Sequence, residues 1–297
     1  MSAVSAEPDR QHLLHQVVGS SRPLSWVNTA YPFGAAYLLG GGGLDLAFVV
    51  GVLWFLVPYN LLMYGINDVF DYESDVRNPR KGGVEGVVLD RRVHRLTLWL
   101  CAVINVPFLV ALVLLGDRLS NAVLAVSVFA VIAYSAPVLR FKERPFLDSV
   151  TSSTHFVSPA VAGIALVDAP WAATTLAALG GFFLWGIGSH AFGAVQDITA
   201  DREGGIASVA TVLGAAPTVR MAFGAYAASA VLLATVGWPG ALVALLVLPY
   251  LLNIAPFLAL SDDDCERANA GWRRFLRLNF LTGFLLTQLL IWIGIGW

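Results

Sequence analysis

Charge is what this sequence has least of. Of its 297 residues only 13% are Asp, Glu, Lys or Arg, against 57% hydrophobic, and the mean hydropathy is +0.72. A water-soluble domain carries roughly twice that share of charge, so water is excluded as the solvent for most of the surface. Cysteine is also scarce: Cys101 and Cys265 are too few and too far apart for a disulfide framework or a thiolate metal site, and both read as structural. The ten-residue alternation of a transmembrane β-barrel is missing. The polar stretch up to Ser21 has no hydrophobic core followed by a small-residue cleavage site, so it does not read as a removable signal peptide. Its short apolar patches, Leu13–Leu14 and Val17–Val18, suggest an amphipathic turn at an interface.

What is present is a series of long apolar runs. Nine can be placed, roughly at 24–42, 46–66, 96–116, 120–139, 148–167, 172–195, 216–236, 240–260 and 276–296, each near the ~20 residues a span requires. The expectation is an all-α membrane protein of nine transmembrane helices in one bundle, a single domain over 1–297. Residues 1–21 would form a polar cytoplasmic segment. Seventeen of the 18 Lys and Arg residues precede the first run or fall in alternate loops, and the opposite loops hold only Arg118. The bias of basic residues toward the cytoplasm puts the N-terminus and the basic loops inside and the C-terminus outside a cell membrane. Membrane lipids are then partners, and nothing points to nucleic acid.

Two acidic motifs end two of the runs. The second run leads into Asn67-Asp68-Val69-Phe70-Asp71-Tyr72-Glu73-Ser74-Asp75, where Asp68, Asp71 and Asp75 share one helical face and Asn67 lies one turn before Asp71. The sixth ends in Gln196-Asp197-Ile198-Thr199-Ala200-Asp201, with Asp197 and Asp201 one turn apart. Stacked carboxylates repel, and a helix C-terminus disfavours negative charge further. A divalent cation resolves this, and oxygen-only ligands point to a hard ion, Mg²⁺ or Ca²⁺. Mg²⁺ commonly uses one or two carboxylates plus substrate phosphates, which suggests a diphosphate between the motifs, its other charge met by basic loop residues. Both motifs are followed by basic residues and a Gly pair, a weak internal repeat. A third acidic run, Asp262-Asp263-Asp264-Cys265-Glu266, points its side chains in different directions and reads as a solvated loop.

At these residues the chain resembles the UbiA superfamily of intramembrane prenyltransferases. The first motif is similar to its NDxxDxxxD signature and the second to its DxxxD signature, with further likeness at Arg22-Pro23 and at Tyr134-Ser135-Ala136-Pro137 followed by Arg140 and Lys142. The resemblance implies nine helices around a central cavity. It gives the Mg²⁺-diphosphate unit to Asn67, Asp68, Asp71, Asp75, Asp197 and Asp201, the acids Asp68, Asp71, Asp197 and Asp201 being catalytic. Phosphate contacts would come from Arg22, Arg77, Lys81, Arg140, Lys142 and Arg202. One departure stands out: Ser189, His190, Phe192 and Gly193 occupy a stretch where many members carry a Tyr and a Lys.

Residues 21–33 and 151–160 look like the lycopene elongase branch, whose members build C50 carotenoids from dimethylallyl diphosphate and lycopene. Other carotenoid enzymes would then be partners. An allylic cation would need an apolar pocket and aromatic faces, for which Tyr64, Phe70, Phe156, Trp185 and Phe192 are candidates, with His155 or His190 able to take a proton. Absence of basic residues inside the runs favours an apolar acceptor over an aromatic acid. The alternatives are an aromatic, quinone-precursor or tetrapyrrole acceptor, and, more distantly, a cation-coupled transporter.

Overall fold

The computed structural model describes residues 10–76 and 88–295, and among these no strand occurs. The chain opens with α1 (Arg10–Ser20), a 3₁₀ turn at Pro23–Ser25, and α2 (Val27–Leu39). A long segment then breaks into α3 (Leu46–Leu56) and α4 (Pro58–Phe70), followed by the single turn α5 (Tyr72–Asp75). Next come α6 (Arg91–Leu115), α7 (Arg118–Ser135), a 3₁₀ turn at Phe141–Glu143, and α8 (Leu147–Leu166). The second half holds α9 (Ala173–Val195), the short α10 (Ile198–Glu203) and α11 (Val209–Leu213), and α12 (Ala215–Ala234). It closes with a 3₁₀ stretch (Gly240–Val247), α13 (Leu248–Ile254) and α14 (Ala268–Ile295).

The break between α3 and α4 has a local cause. Pro58 has no N–H to donate, so the carbonyls before it lose their helical partner. Side chains replace it: Asn60 Nδ2 donates to the carbonyls of Phe55 (2.8 Å) and Leu56 (3.1 Å), and Thr29 Oγ1 donates to Phe55 at 2.6 Å. Asn105 Nδ2 donates to the Pro58 carbonyl at 2.9 Å. The bend is thus pinned by α2 and α6, and it sets the direction in which α4 carries the first acidic motif.

Seven segments are long and apolar enough to cross a membrane, where the sequence suggested nine: Leu46–Phe70, Arg91–Leu115, Arg118–Ser135, Ala173–Val195, Ala215–Ala234, Gly240–Phe257 and Cys265–Ile295. The two that fall short are α2 and α8. The first is only 13 residues long, because Arg22 and the turn after it delay its start. The second carries Asp148, Ser149, Thr151, Ser153, His155 and Ser158, all buried. These two helices pack on each other, and at Gly163 a Cβ would lie 2.6 Å from the Phe33 carbonyl oxygen. Their polar content is covered by protein instead of lipid. Apolar burial falls into two clusters, one built from residues 17–167 around Phe33, Trp54, Phe55 and Tyr59, the other from residues 191–275 around Phe192, Tyr226 and Tyr250.

Three further expectations are revised or refined. The segment before Ser21 is longer than a turn, forming α1, which packs on α4 and α6 and buries Val17. Cys265, expected in a loop, is fully buried in a 3₁₀ turn against Thr199 at 3.3 Å, and both cysteines are free. The acidic run at 262–264 is more than solvated: Asp262 Oδ1 accepts from Ala215 N at 2.6 Å at the start of α12, while its Oδ2 accepts from Arg202 at 2.7 Å.

Candidate active site

The first motif ends α4, whose last two turns carry Tyr64, Asn67 and Asp68, with Asp71 as the residue that closes the helix. Asp68 and Asp71 are 1% and 7% exposed, so their charges need partners within the protein. Arg22 Nη2 reaches Asp68 Oδ1 at 2.8 Å, Ser20 Oγ donates to Asp68 Oδ2 at 2.9 Å, and the Arg22 guanidinium lies 4.4 Å above the Tyr64 ring. Asp71 is ion-paired with Lys142, and Arg140 Nη2 stands 3.5 Å from it. Glu143 pairs in turn with Arg140, which holds the Glu143 carboxyl below its usual range and the guanidinium above its own. Asn67 Oδ1 accepts from Ser135 Oγ at 2.9 Å.

Two distant connections, the one before α2 and the one between α7 and α8, therefore converge on the end of α4. Of the residues expected there, Asn67, Asp68, Asp71, Arg22, Arg140 and Lys142 are brought together. Asp75 is placed by its backbone in α5, and Arg77 and Lys81 lie outside the described residues. Ser20, Ser135 and Glu143 were not singled out as site residues. A serine or a lone glutamate carries no spacing signal, although Ser135 sits inside the Tyr134–Pro137 match.

The second motif straddles the junction of α9 and α10, with Asp197 between them and Asp201 one turn on; the Asp201 N–H donates to the Asp197 carbonyl at 2.8 Å. Both acids are half-buried. Arg202 does not join them: its guanidinium is held by Asp262 and by the Thr211 carbonyl at 2.8 Å, so it ties α10 to α11 and α12. Of the bases expected at the second motif, Arg202 is thus placed beside it in sequence but with its guanidinium on Asp262 and Thr211.

The two motif helices are linked through the end of α7. Ser135 bonds Asn67 on α4, and its neighbour Tyr134 bonds His190 on α9, Oη to Nε2 at 3.1 Å. His190 precedes Asp197 by seven residues and so shares its face of α9. Of the aromatic candidates, Tyr64 lies at the first motif, whereas Phe192 packs on Phe257 and Trp185 stacks on Phe275 in the second apolar cluster. Phe70 is exposed and Phe156 half-buried. An apolar hollow of about 280 Å³ lies between α7, α8 and α9, lined by Val123, Val126, Val157, Val161 and Phe183 among others. A more polar hollow, of about 560 Å³, lies around Phe257, Leu260, Asp264 and Arg267. Neither is lined by a motif acid.

Among the described residues, no three His, Cys, Asp or Glu side chains are gathered at metal-holding spacing. The first motif's acids are instead turned onto Arg22, Arg140 and Lys142. The donor set still suits a hard cation, since it consists of carboxylate and amide oxygens one turn apart on one helix end.

Comparison with known proteins bears on the fold and the family. The sequence pattern described as the UbiA prenyltransferase family matches residues 29–281. The C(50) β-cyclic carotenoids biosynthesis protein LbtBC of Dietzia is 56% identical over 98% of this chain and 67% of its own. A lycopene elongase/hydratase of Corynebacterium glutamicum is 53% identical over 92% of this chain and 95% of its own. Among solved structures, a UbiA homolog from Archaeoglobus fulgidus bound to DMAPP and Mg²⁺ shares the fold with a TM-score of 0.66 and 18% identity, covering 90% of this chain and 98% of its own. A UbiA homolog from Aeropyrum pernix K1 aligns with a TM-score of 0.61 and 17% identity, over 95% and 97% of the two chains. The chain belongs to the UbiA prenyltransferase family and is a multi-pass membrane prenyltransferase.

Proposed function

We propose that the protein ionises dimethylallyl diphosphate and transfers its C5 group to the terminal double bonds of lycopene, toward a C50 carotenoid. The observation that carries the ionisation is the convergence of Arg22, Arg140 and Lys142 on the buried Asp68 and Asp71. The choice of acceptor is supported by two relatives more than half identical over nearly the whole of this chain, one named for C50 β-cyclic carotenoid biosynthesis and one named lycopene elongase/hydratase.

In this reading the first motif, with Asp75, and Asp197 and Asp201 of the second hold Mg²⁺, which when bound draws charge off the diphosphate and makes it a better leaving group. Arg22, Arg140 and Lys142 hold diphosphate oxygens by charge-assisted hydrogen bonds. Their present carboxylate partners mark them as cations already desolvated and aimed, so little reorganisation is needed when an anion arrives. Tyr64, under Arg22, offers the nearest aromatic face for the allylic cation. The apolar bundle keeps that cation from water. The site opens on the cytoplasmic side, with the N-terminus inside and the C-terminus outside.

Membranes containing the protein, given lycopene, dimethylallyl diphosphate and Mg²⁺, are expected to form products larger by one or two C5 units. Prenylation of an aromatic acid in place of lycopene would overturn the acceptor. Asp71→Ala and Asp197→Ala are each expected to abolish Mg²⁺-dependent diphosphate release, and retained release in both would overturn the site.

A further inference from the structure

One polar row, running from half-buried Tyr134 and His190 to buried Ser149 and Asp148, is not used by the diphosphate chemistry. His190 is bonded at both ring nitrogens, Nε2 to Tyr134 Oη and Nδ1 to Ser149 Oγ, each at 3.1 Å. Ser149 Oγ donates to Asp148 Oδ1 at 3.3 Å, and Asp148 Oδ2 accepts from Val209 N at 2.7 Å. Asp148 is fully buried. A carboxylate only accepts, so the Ser149 hydrogen goes to Asp148 and its oxygen accepts from His190 Nδ1–H. Nε2 then carries no proton and accepts from Tyr134. Every donor in the row points toward Asp148.

The row has one end at the first motif. Tyr134 adjoins Ser135, which bonds Asn67, and its ring meets that of His155 edge-on at 5.1 Å. The other end is a buried negative charge, a costly arrangement unless a positive charge can form beside it. His190, bonded to Ser149 and through it to Asp148, is placed to carry that charge.

We propose that His190 accepts, through the Tyr134 hydroxyl, the proton released when the prenyl transfer ends. The step rests on the transfer reading above. The allylic C–O bond breaks with its electron pair leaving on the diphosphate. The acceptor's terminal π pair forms the new C–C bond and leaves a tertiary cation. Either a water lone pair forms a C–O bond to that cation, or a neighbouring C–H pair closes to a double bond, and each course releases one proton. That proton moves to the Tyr134 oxygen as the phenol's own proton passes to His190 Nε2, giving an imidazolium that Asp148 stabilises across Ser149.

The test uses the full chain in lipid vesicles with lycopene, dimethylallyl diphosphate and Mg²⁺, reading finished carotenoid per diphosphate released. Without the proton acceptor the tertiary cation reverts, its new C–C pair returning to the double bond of lycopene, and water captures the freed allylic cation as dimethylallyl alcohol. His190→Gln and Tyr134→Phe are therefore each expected to lower that ratio at least tenfold, with this alcohol making up the difference, and the double variant to fall no further than either alone. Melting temperatures within a few degrees of wild type confirm that the variants fold, and Tyr134→Phe serves if His190→Gln does not. A proportional loss of release and carotenoid, an unchanged ratio, or a fall produced by His155→Gln instead would overturn the proposal. Wild-type protein that makes no elongated lycopene would overturn the transfer reading itself, and that control is read separately.

Discussion

Arg22 meets Asp68 at 2.8 Å from a backbone in the left-handed region, φ 53°. Arg140, 3.5 Å from Asp71, is left-handed as well, φ 38°, and each arginine is the residue that starts a single 3₁₀ turn. A non-glycine residue there is strained by on the order of 1 kcal/mol, and such strain persists where the surroundings over-determine it. Two arginines strained alike and aimed at the same motif indicate a site assembled against local preference. Arg22 stands before the turn that precedes α2, whereas α7 has already closed at Ala136, held extended before Pro137.

Removing the Arg22 charge leaves Asp68 buried with one fewer partner. Arg22→Ala is expected to lower unfolding stability by about 2 kcal/mol and diphosphate release more than tenfold. Thermal melts in detergent and a diphosphate-release assay check the two halves. A loss of stability without loss of release would make Arg22 purely structural.

Lys142 and Arg202 should separate cleanly. Lys142→Ala takes a cation from Asp71 and is expected to raise KM for the diphosphate donor at least tenfold. Arg202→Ala loosens only the tie from α10 to Asp262 and Thr211, so kcat/KM is expected to stay within about twofold while stability falls by roughly 1 kcal/mol. Steady-state kinetics on the two variants decide it.

Gly163 is where α8 touches the α2 backbone. Gly163→Ala puts a Cβ 2.6 Å from the Phe33 carbonyl oxygen, so the helices must part, at a cost of about 1–3 kcal/mol. A melting temperature equal to wild type would show that this contact yields freely.

Asp262 gives a pH signature. Its carboxyl is held below the usual range first by the Ala215 N–H and then by Arg202. A depressed folded value favours the charged form. The stability it contributes is therefore present above the unfolded value near pH 4 and lost as pH falls through the folded one. Asp262→Asn is expected to melt below wild type at pH 7, the difference closing as pH falls through the depressed folded value.

Much of this was legible in the sequence because it depends on local spacing or on solvent. Apolar runs must be helices in lipid whatever they pack against, and an acid face at 68, 71 and 75 follows from helical period alone. Helix count was less legible. Residues 24–42 and 148–167 read as spans on paper, but α2 is 13 residues long and α8 carries buried Asp148, Ser149 and His155, so neither combines a span's length with a span's apolar composition. Hydropathy cannot see that a polar residue is covered by protein.

The sequence by itself determined the solvent, the helical class and the two acidic helix ends, since each follows from composition or from residues within a few positions of one another. Tertiary structure alone decided which bases serve those acids. Arg22, Arg140 and Lys142 were brought to α4 while Arg202 was diverted to Asp262, and adjacent Ser135 and Tyr134 were aimed at Asn67 and His190. Such pairings join residues tens of positions apart, and a charge's partner depends on which loop the packed helices bring within about 4 Å, a distance no spacing rule encodes.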